Sequence, residues 1–344
     1  MFSGLPLAPL LLLFAAASTV IFFCGTRMTA LADRIADRTG FGEALVGGVL
    51  LGAATSFSGT IVSVTSALDG RASLAFSNAV GGIAAQTAFL AIADMIYRRA
   101  NLEHVAADLA SVLQSGLLLL MLTVPFLAFT APEVSLAGVH PASVALAGIY
   151  IAGLFALRQV RDQPMWRAVP TCETKPDEPD EAPGDIGGTI HLILGFALLV
   201  ALLGAMGWTI SGLAGELTDR YALSASLVGA LMTAVVTSLP ELVTTLAAVH
   251  RGALQLAVGG IIGGNTFDTL FLTLSDVAYR EGSLYHAVSP DDYFWVAVGM
   301  AMTCILLLGL VIRQQDGPGR IGFESVGILA VYSGAIAVQS LSAA

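Results

Sequence analysis

Apolar residues run through this chain in long stretches, separated by short polar breaks. A helix needs about 20 apolar residues to cross a bilayer. Ten stretches meet that need, at 5–26, 41–67, 73–97, 105–129, 141–157, 188–210, 223–249, 254–278, 290–312 and 321–341. The first lacks the basic start and small-residue cleavage site of a secretory signal, so it is read as a span. The longest polar interval, RQVRDQPMWRAVPTCETKPDEPDEAPGDIG at 158–187, is proline-rich and has few apolar residues from which to build a core. It reads as a linker.

The pattern on one side of the linker repeats on the other. With a shift of 182, residues 31–98 align with 213–280 without a gap, and 20 of the 68 positions are identical. The pairs include Asp37/Asp219, Arg38/Arg220, Thr55/Thr237, Ser56/Ser238, Gly70/Gly252, Gly81/Gly263, Gly82/Gly264, Asp94/Asp276 and Tyr97-Arg98/Tyr279-Arg280. A shared apolar bias would not hold Thr-Ser, Gly-Gly and Asp-x-x-Tyr-Arg in one register, so the chain carries an internal duplication. The expected organisation is a first five-helix repeat at 1–157 (motifs at 52–86), the linker at 158–187, and a second repeat at 188–344 (motifs at 234–268). Five spans is an odd number, so the second copy enters the membrane inverted. The expected fold class is an all-α membrane protein of ten transmembrane helices in two inverted repeats. Such repeats are a recurrent design of secondary transporters, whose sites lie near the midplane where interrupted helices of the two copies meet.

Polar interruptions concentrate in the second and third span of each repeat: TSFSGT at 55–60 against TSLPEL at 237–242, and SNAVGGIAAQ at 77–86 against GGIIGGNTFD at 259–268. Pro240 lacks an N–H and crowds the preceding turn, so the helix is expected to kink there and free carbonyls at 234–238. Gly and Ser alone in such helices are ordinary packing residues. Glu241 and Asp268 are different. A charged side chain at mid-bilayer costs about 2.5–3.5 kcal/mol on insertion scales and marks ion or proton pathways.

Composition supports a membrane protein. Of 344 residues 56% are hydrophobic and 12% charged, with a mean hydropathy of +0.82; soluble domains carry roughly twice that charge. The net charge of −10, to which the linker contributes −3, says little about partners. No nucleic-acid partner is expected; the partners are the lipid bilayer and small inorganic cations, with the oligomeric state open. Cys24, Cys172 and Cys304 have no metal-type spacing and no expected disulfide. His104, His140, His191, His250 and His286 are scattered without ligand spacing. With the N-terminus outside, twelve Lys and Arg residues lie on the cytoplasmic side and three (Arg71, Arg220, Arg280) outside. That bias predicts a multi-pass protein of a bacterial-type inner or plasma membrane, termini outside and linker cytoplasmic. Asp94/Arg98 and Asp276/Arg280 are spaced as i,i+4 ion pairs at helix ends, and Asp291-Asp292 lie in a loop at the outer mouth.

The motifs resemble the alpha repeats of the calcium/cation antiporter superfamily, particularly prokaryotic sodium/calcium exchangers, whose pattern is approximately G-T-S-L-P-E followed by G-S-N-I-F-N/D in each half. VVTSLPELVTT and GGNTFDTLF match it closely, and ten spans with a central cytoplasmic loop extend the resemblance over nearly the whole chain. It implies Glu241 and Asp268 as metal ligands, with Thr237, Ser238, the Ala234 carbonyl, Thr55 and Ser56 as further cation-binding positions. It also implies alternating access, with the first and sixth helices sliding across the core. The first repeat departs from the pattern. Ser58-Gly59 replaces Pro-Glu, Gln86 takes the Asn/Asp position, and Gly82 and Gly264 stand where the family has serine. Asn78 and Gln86 then supply neutral oxygens only. Two carboxylates balance one Ca²⁺, yet calcium prefers six to eight oxygens. The expectation is either weak calcium binding or a site remodelled for a monovalent ion, with proton competition or coupling in addition.

No enzymatic activity and no cofactor are expected; Na⁺, Ca²⁺ or H⁺ would be transported ions. The expected function is a secondary cation antiporter of the sodium/calcium exchanger type, with monovalent cation/proton exchange as the alternative. A non-transporting sensor or assembly subunit is a further class, disfavoured by the intact second repeat. An intramembrane aspartyl protease is disfavoured too, because neither acid has the tyrosine-aspartate or glycine-x-glycine-aspartate context of that chemistry.

Overall fold

A computed structural model describes residues 2, 4–39, 54–97, 100–165, 169, 186–315, 317 and 321–342. Among them there is no β-strand. The helices are α1 (Leu7–Thr39), α2 (Phe57–Leu68), α3 (Ala72–Tyr97), α4 (Leu102–Ala106), α5 (Leu109–Thr130), α6 (Pro141–Asp162) and α7 (Ile186–Tyr221). The second half continues with α8 (Ala225–Thr237), α9 (Leu239–Arg251), α10 (Leu254–Asp268), α11 (Leu270–Ala278), α12 (Leu284–Ala287), α13 (Pro290–Ile312) and α14 (Phe323–Ser342). Among the described residues seven helices are long and apolar enough to cross a membrane, or eight if the bent pair α8–α9 is one span. Most of the 158–187 linker, half of the second stretch (40–53) and Arg98 lie outside the described residues.

The long helices have lipid-type surfaces. Leu12, Phe23, Leu127, Phe155, Leu194 and Leu198 are exposed. The exception is α3, buried along nearly its whole length. It packs against α2, α8, α9, α10, α11, α13 and α14, so it has no polar face to turn outward. The polar run SNAVGGIAAQ does not interrupt the helix: α3 is continuous through it. Glycines lower helix propensity without removing a backbone donor, and burial outweighs that cost.

Buried apolar residues form two main bodies. The larger surrounds α3 and includes Phe76, Ile83, Tyr285, Trp295 and Met302. The smaller joins α1 and α7 through Leu10, Phe14, Ile21, Leu203, Ile210 and Leu213, with Val62 of α2. The paired helices α1 and α7 meet the break points of the core through two glycines that are repeat mates, 182 apart. A Cβ on Gly25 would run into the Pro240 ring, and one on Gly207 would lie 2.8 Å from the Ser58 carbonyl oxygen.

The expected i,i+4 pair at Asp276/Arg280 is not formed. α11 ends at Ala278, which takes Arg280 off the helix. Asp276 instead ties three elements together: Oδ1 accepts from the Leu284 N–H (3.1 Å), and Oδ2 from the His140 N–H (2.8 Å) and Ser143 Oγ (2.7 Å). Asp94 repeats the joint with its own mates. Its Oδ1 accepts from the Leu102 N–H (2.8 Å), and its Oδ2 from the Gly322 N–H (3.2 Å) and Ser325 Oγ (2.8 Å). All six partners keep the 182-residue offset, so the duplication extends past the aligned 68 positions to residues 143 and 325. The two joints lie at opposite ends of the helices, because α5 begins beside α4 and finishes at Ala131, whose carbonyl oxygen meets His286 Nε2 (3.0 Å). Asp292, expected in a solvated loop, is buried. It caps α13 by accepting from Ser289 N–H and Oγ, and it takes Ser73 Oγ of α3 at 2.7 Å.

Candidate cation site

Both second-span helices break at the same serine. Ser56 (φ −81°, ψ 1°) precedes α2, and Ser238 (φ −95°, ψ 3°) separates α8 from α9, which bend by 46°. A π-turn at Val228–Thr233 precedes the second break. Pro240 falls in the first turn of α9, where its missing N–H costs nothing, so it starts a new helix. That puts Glu241 in the first turn of α9, where orphan N–H groups favour an acid. Asp268 is the last residue of α10, before the junction at Thr269.

The two acids are buried and meet polar residues of the other repeat. Ser56 Oγ donates to Glu241 Oε1 at 3.4 Å, and Thr55 also hydrogen-bonds Glu241. Gln86 Nε2 donates to Asp268 Oδ2 at 2.6 Å and reaches Ser238 Oγ at 3.4 Å. Gln86 and Asp268 are repeat mates, so their bond lies where the two copies face each other. The four ion pairs among the described residues involve neither acid. Glu241 Oε2, Asp268 Oδ1, Gln86 Oε1 and Asn265 Oδ1 are buried and have no hydrogen-bond partner. Buried oxygens of native proteins are almost always satisfied, so these free acceptors are places where a cation or a proton could be held. The glycines in the family's serine positions leave room there: a Cβ on Gly264 would press on Gln86 Oε1 at 3.1 Å, and one on Gly82 on Asp268 Oδ2 at 3.4 Å.

Other sequence-selected positions serve the helices. Thr237 Oγ1 donates back to the Thr233 and Ala234 carbonyls, and the Ala234 carbonyl also takes the Ser238 N–H at 3.0 Å. It is therefore already engaged. Asn78 lies two turns from Gln86 along α3, and its amide is committed: Nδ2 to the Gly59 carbonyl and Ser63 Oγ, Oδ1 to Thr233 Oγ1 at 2.7 Å. Gly59, the mate of Glu241, faces the Phe271 ring; a Cβ there would lie 2.8 Å from Cε2. The absent carboxylate's place is thus filled by an aromatic edge. Asn265, not singled out by the sequence, shares a helix face with Asp268 through its i,i+3 spacing, the one signal for it; its Nδ2 donates to Thr87 Oγ1 at 2.9 Å. Among the described residues no three His, Cys, Asp or Glu side chains converge as a metal-binding group. A cation here would rest on two carboxylates plus amide and hydroxyl oxygens.

Comparison with known proteins agrees with this architecture. The chain is 34% identical over 120 residues to the putative antiporter CaxA of Alkalimonas amylolytica, a stretch covering 35% of each chain. It superposes on the H⁺/Ca²⁺ exchanger CAX with a TM-score of 0.72 at 9% identity, covering 97% of this chain and 86% of that one. It superposes on the sodium-calcium exchanger NCX_Mj with a TM-score of 0.61 at 17% identity, covering 95% and 97%. At these identities the superpositions speak for the fold. The sodium/calcium exchanger protein model matches residues 9–158 and 188–341, one stretch on each side of the linker. Matched through both of its halves, the chain belongs to the sodium/calcium exchanger protein family.

Proposed function

We propose that this protein is a secondary cation antiporter of ten spans in two inverted repeats, which binds its cation between Glu241 and Asp268. The observation that carries the reading is the set of buried acceptors, Glu241 Oε2, Asp268 Oδ1 and Gln86 Oε1, each without a donor. Two carboxylates balance one divalent cation or two monovalent ones. Gln86 has a part in either case. Its N–H group donates to Asp268, and rotation of the amide would present Oε1 to an arriving cation instead. Access would alternate as α1 and α7 slide over the core at Gly25/Pro240 and Gly207/Ser58. Their separate hydrophobic body supports movement as a unit.

Within this reading Ca²⁺ exchanged for Na⁺ is the family default. The Phe271-filled position at Gly59 favours the alternative, in which protons or a monovalent cation take part, because it leaves the site one carboxylate short of repeat symmetry. The test is radiolabelled calcium uptake into proteoliposomes under an outward sodium gradient and, separately, a pH gradient, with Glu241→Gln as control. Uptake that needs the sodium gradient and disappears in the variant supports sodium/calcium exchange; dependence on the pH gradient alone supports proton coupling. No gradient-driven flux of Ca²⁺, Na⁺ or K⁺ would sink the antiporter reading.

A further inference from the structure

The two aspartate joints share a backbone and differ in what surrounds them. At the Asp276 end the mates of interest are Ala142 and Tyr285, and the Tyr285 hydroxyl pairs with Ser143 Oγ at 2.9 Å. That end closes as a satisfied Tyr–Ser–Asp chain. At the Asp94 end the same two positions are Glu324 and Glu103. Both are fully buried. Glu324 Oε2 accepts from Asn101 Nδ2 at 3.1 Å, whereas Glu324 Oε1 and both Glu103 oxygens have no partner. Asp94 already has three donors. Three carboxylates therefore meet in one buried joint.

Among the described residues no basic side chain neutralises them. The ionisable groups around Glu103 are Asp94 at the end of α3, Glu324 at the start of α14, His104 beside it and Arg313 at the end of α13. Arg313 is occupied elsewhere: Nε and Nη2 donate to the His104 carbonyl (3.2 and 2.9 Å), and Nη1 to the Val169 carbonyl of the linker (3.1 Å). His104 Nδ1 donates to the Arg313 carbonyl (2.7 Å). α10, also packed on α4, brings one acid, Asp268, which belongs to the central site. The joint is not shaped for a metal ion, since no three acidic, His or Cys groups among the described residues converge closely enough. A proton on the acid keeps such a group neutral in its buried place.

We propose that Glu103 is a proton-binding site at the linker-side end of the core, holding the joint of α3, α4 and α14 together only while it is protonated. Alkalinisation breaks the carboxyl O–H bond and passes the proton to water. The new carboxylate then faces Asp94 and Glu324, and that repulsion loosens the α3–α14 tie. Burial first, then the Asp94 charge, pushes Glu103 up to about 8; its own N–H pulls the other way and Glu324 adds to the rise. An acid whose folded pKa is raised holds its proton more tightly folded than unfolded. Its contribution to stability is therefore complete below the ordinary carboxylate range and declines as pH rises to about 8. The opposite end has no counterpart.

Thermal melting of the full-length purified protein tests this. Glu103→Gln mimics the protonated acid, so its melting temperature should exceed wild type's by a gap that widens from about pH 5 to about pH 8 and then levels off, reaching about 4 °C. Tyr285→Phe, at the mate position, should differ from wild type by a constant amount. A Glu103→Gln gap that does not change with pH overturns the proposal, whatever its size. If Glu103→Gln does not fold, infrared difference spectroscopy on a Glu241→Gln/Asp268→Asn background decides. A carboxylic C=O stretch lost as pH passes through about 8 supports the site, and no such loss refutes it. Neither readout requires transport.

Discussion

Repeat two supplies both central acids, whereas their mates in repeat one are a glycine and an amide. The backbones around them correspond closely. Ser56 and Ser238 break their helices with nearly the same dihedrals, and Gly25 and Gly207 make equivalent close approaches. Yet Gly59 faces Phe271 where Glu241 faces Ser56, and Gln86 donates a hydrogen bond to its own mate, Asp268. Duplication preserved the frame and relaxed the chemistry in one half. The same holds at the two ends, where identical aspartate joints carry tyrosine on one side and two glutamates on the other.

The contrast can be broken most sharply at the central acids. Glu241→Gln or Asp268→Asn should reduce exchange by at least ~100-fold, since each removes half the anionic charge of the site; Gln86→Ala should cost only about 10-fold in apparent cation affinity. Equal losses from all three in a flux assay would mean that Gln86 counts as a full ligand. The joints come next. Asp276→Asn removes charge-assisted bonds from three elements and should destabilise the fold by about 3–5 kcal/mol. Asp94→Asn should cost visibly less at alkaline pH, because it also relieves Glu103; equal denaturation midpoints there would remove the asymmetry. Smaller still, Gly25→Ala and Gly207→Ala should each cost about 1–3 kcal/mol by overpacking at matching contacts. Gly25→Ala should also slow flux if α1 slides over Pro240. The least effect is expected from Tyr285→Phe, which gives up one neutral hydrogen bond, about 1 kcal/mol and insensitive to pH over the range where Glu103 titrates.

Each of these predictions began from something readable along the chain or hidden from it. The acids at 241 and 268 stand out in the sequence because charge in an apolar stretch is expensive, and the structure shows them buried with free oxygens. Asn78 offers a neutral oxygen in the sequence but is absorbed by Thr233 and Ser63, because an amide inside a helix finds whichever partner its own turn faces. The polar run in the third span is carried inside one continuous helix, α3. The neighbours of Glu103 could not be foreseen: Glu324 lies 221 positions away, and only the return of α14 to the end of α3 brings them together.

Length and hydropathy determined the helical membrane architecture, since segment lengths and apolar runs are local properties that a bilayer reads directly. The 182-residue repeat, visible as identical residues in register, determined that the chain has two related halves. Only the tertiary structure decided which polar groups meet: that Phe271 fills the place across from Gly59, that Gln86 reaches its own mate, and that three acids share the joint at α4. Those contacts join residues far apart in sequence, and no periodicity along the chain records which side of a buried helix will face which neighbour.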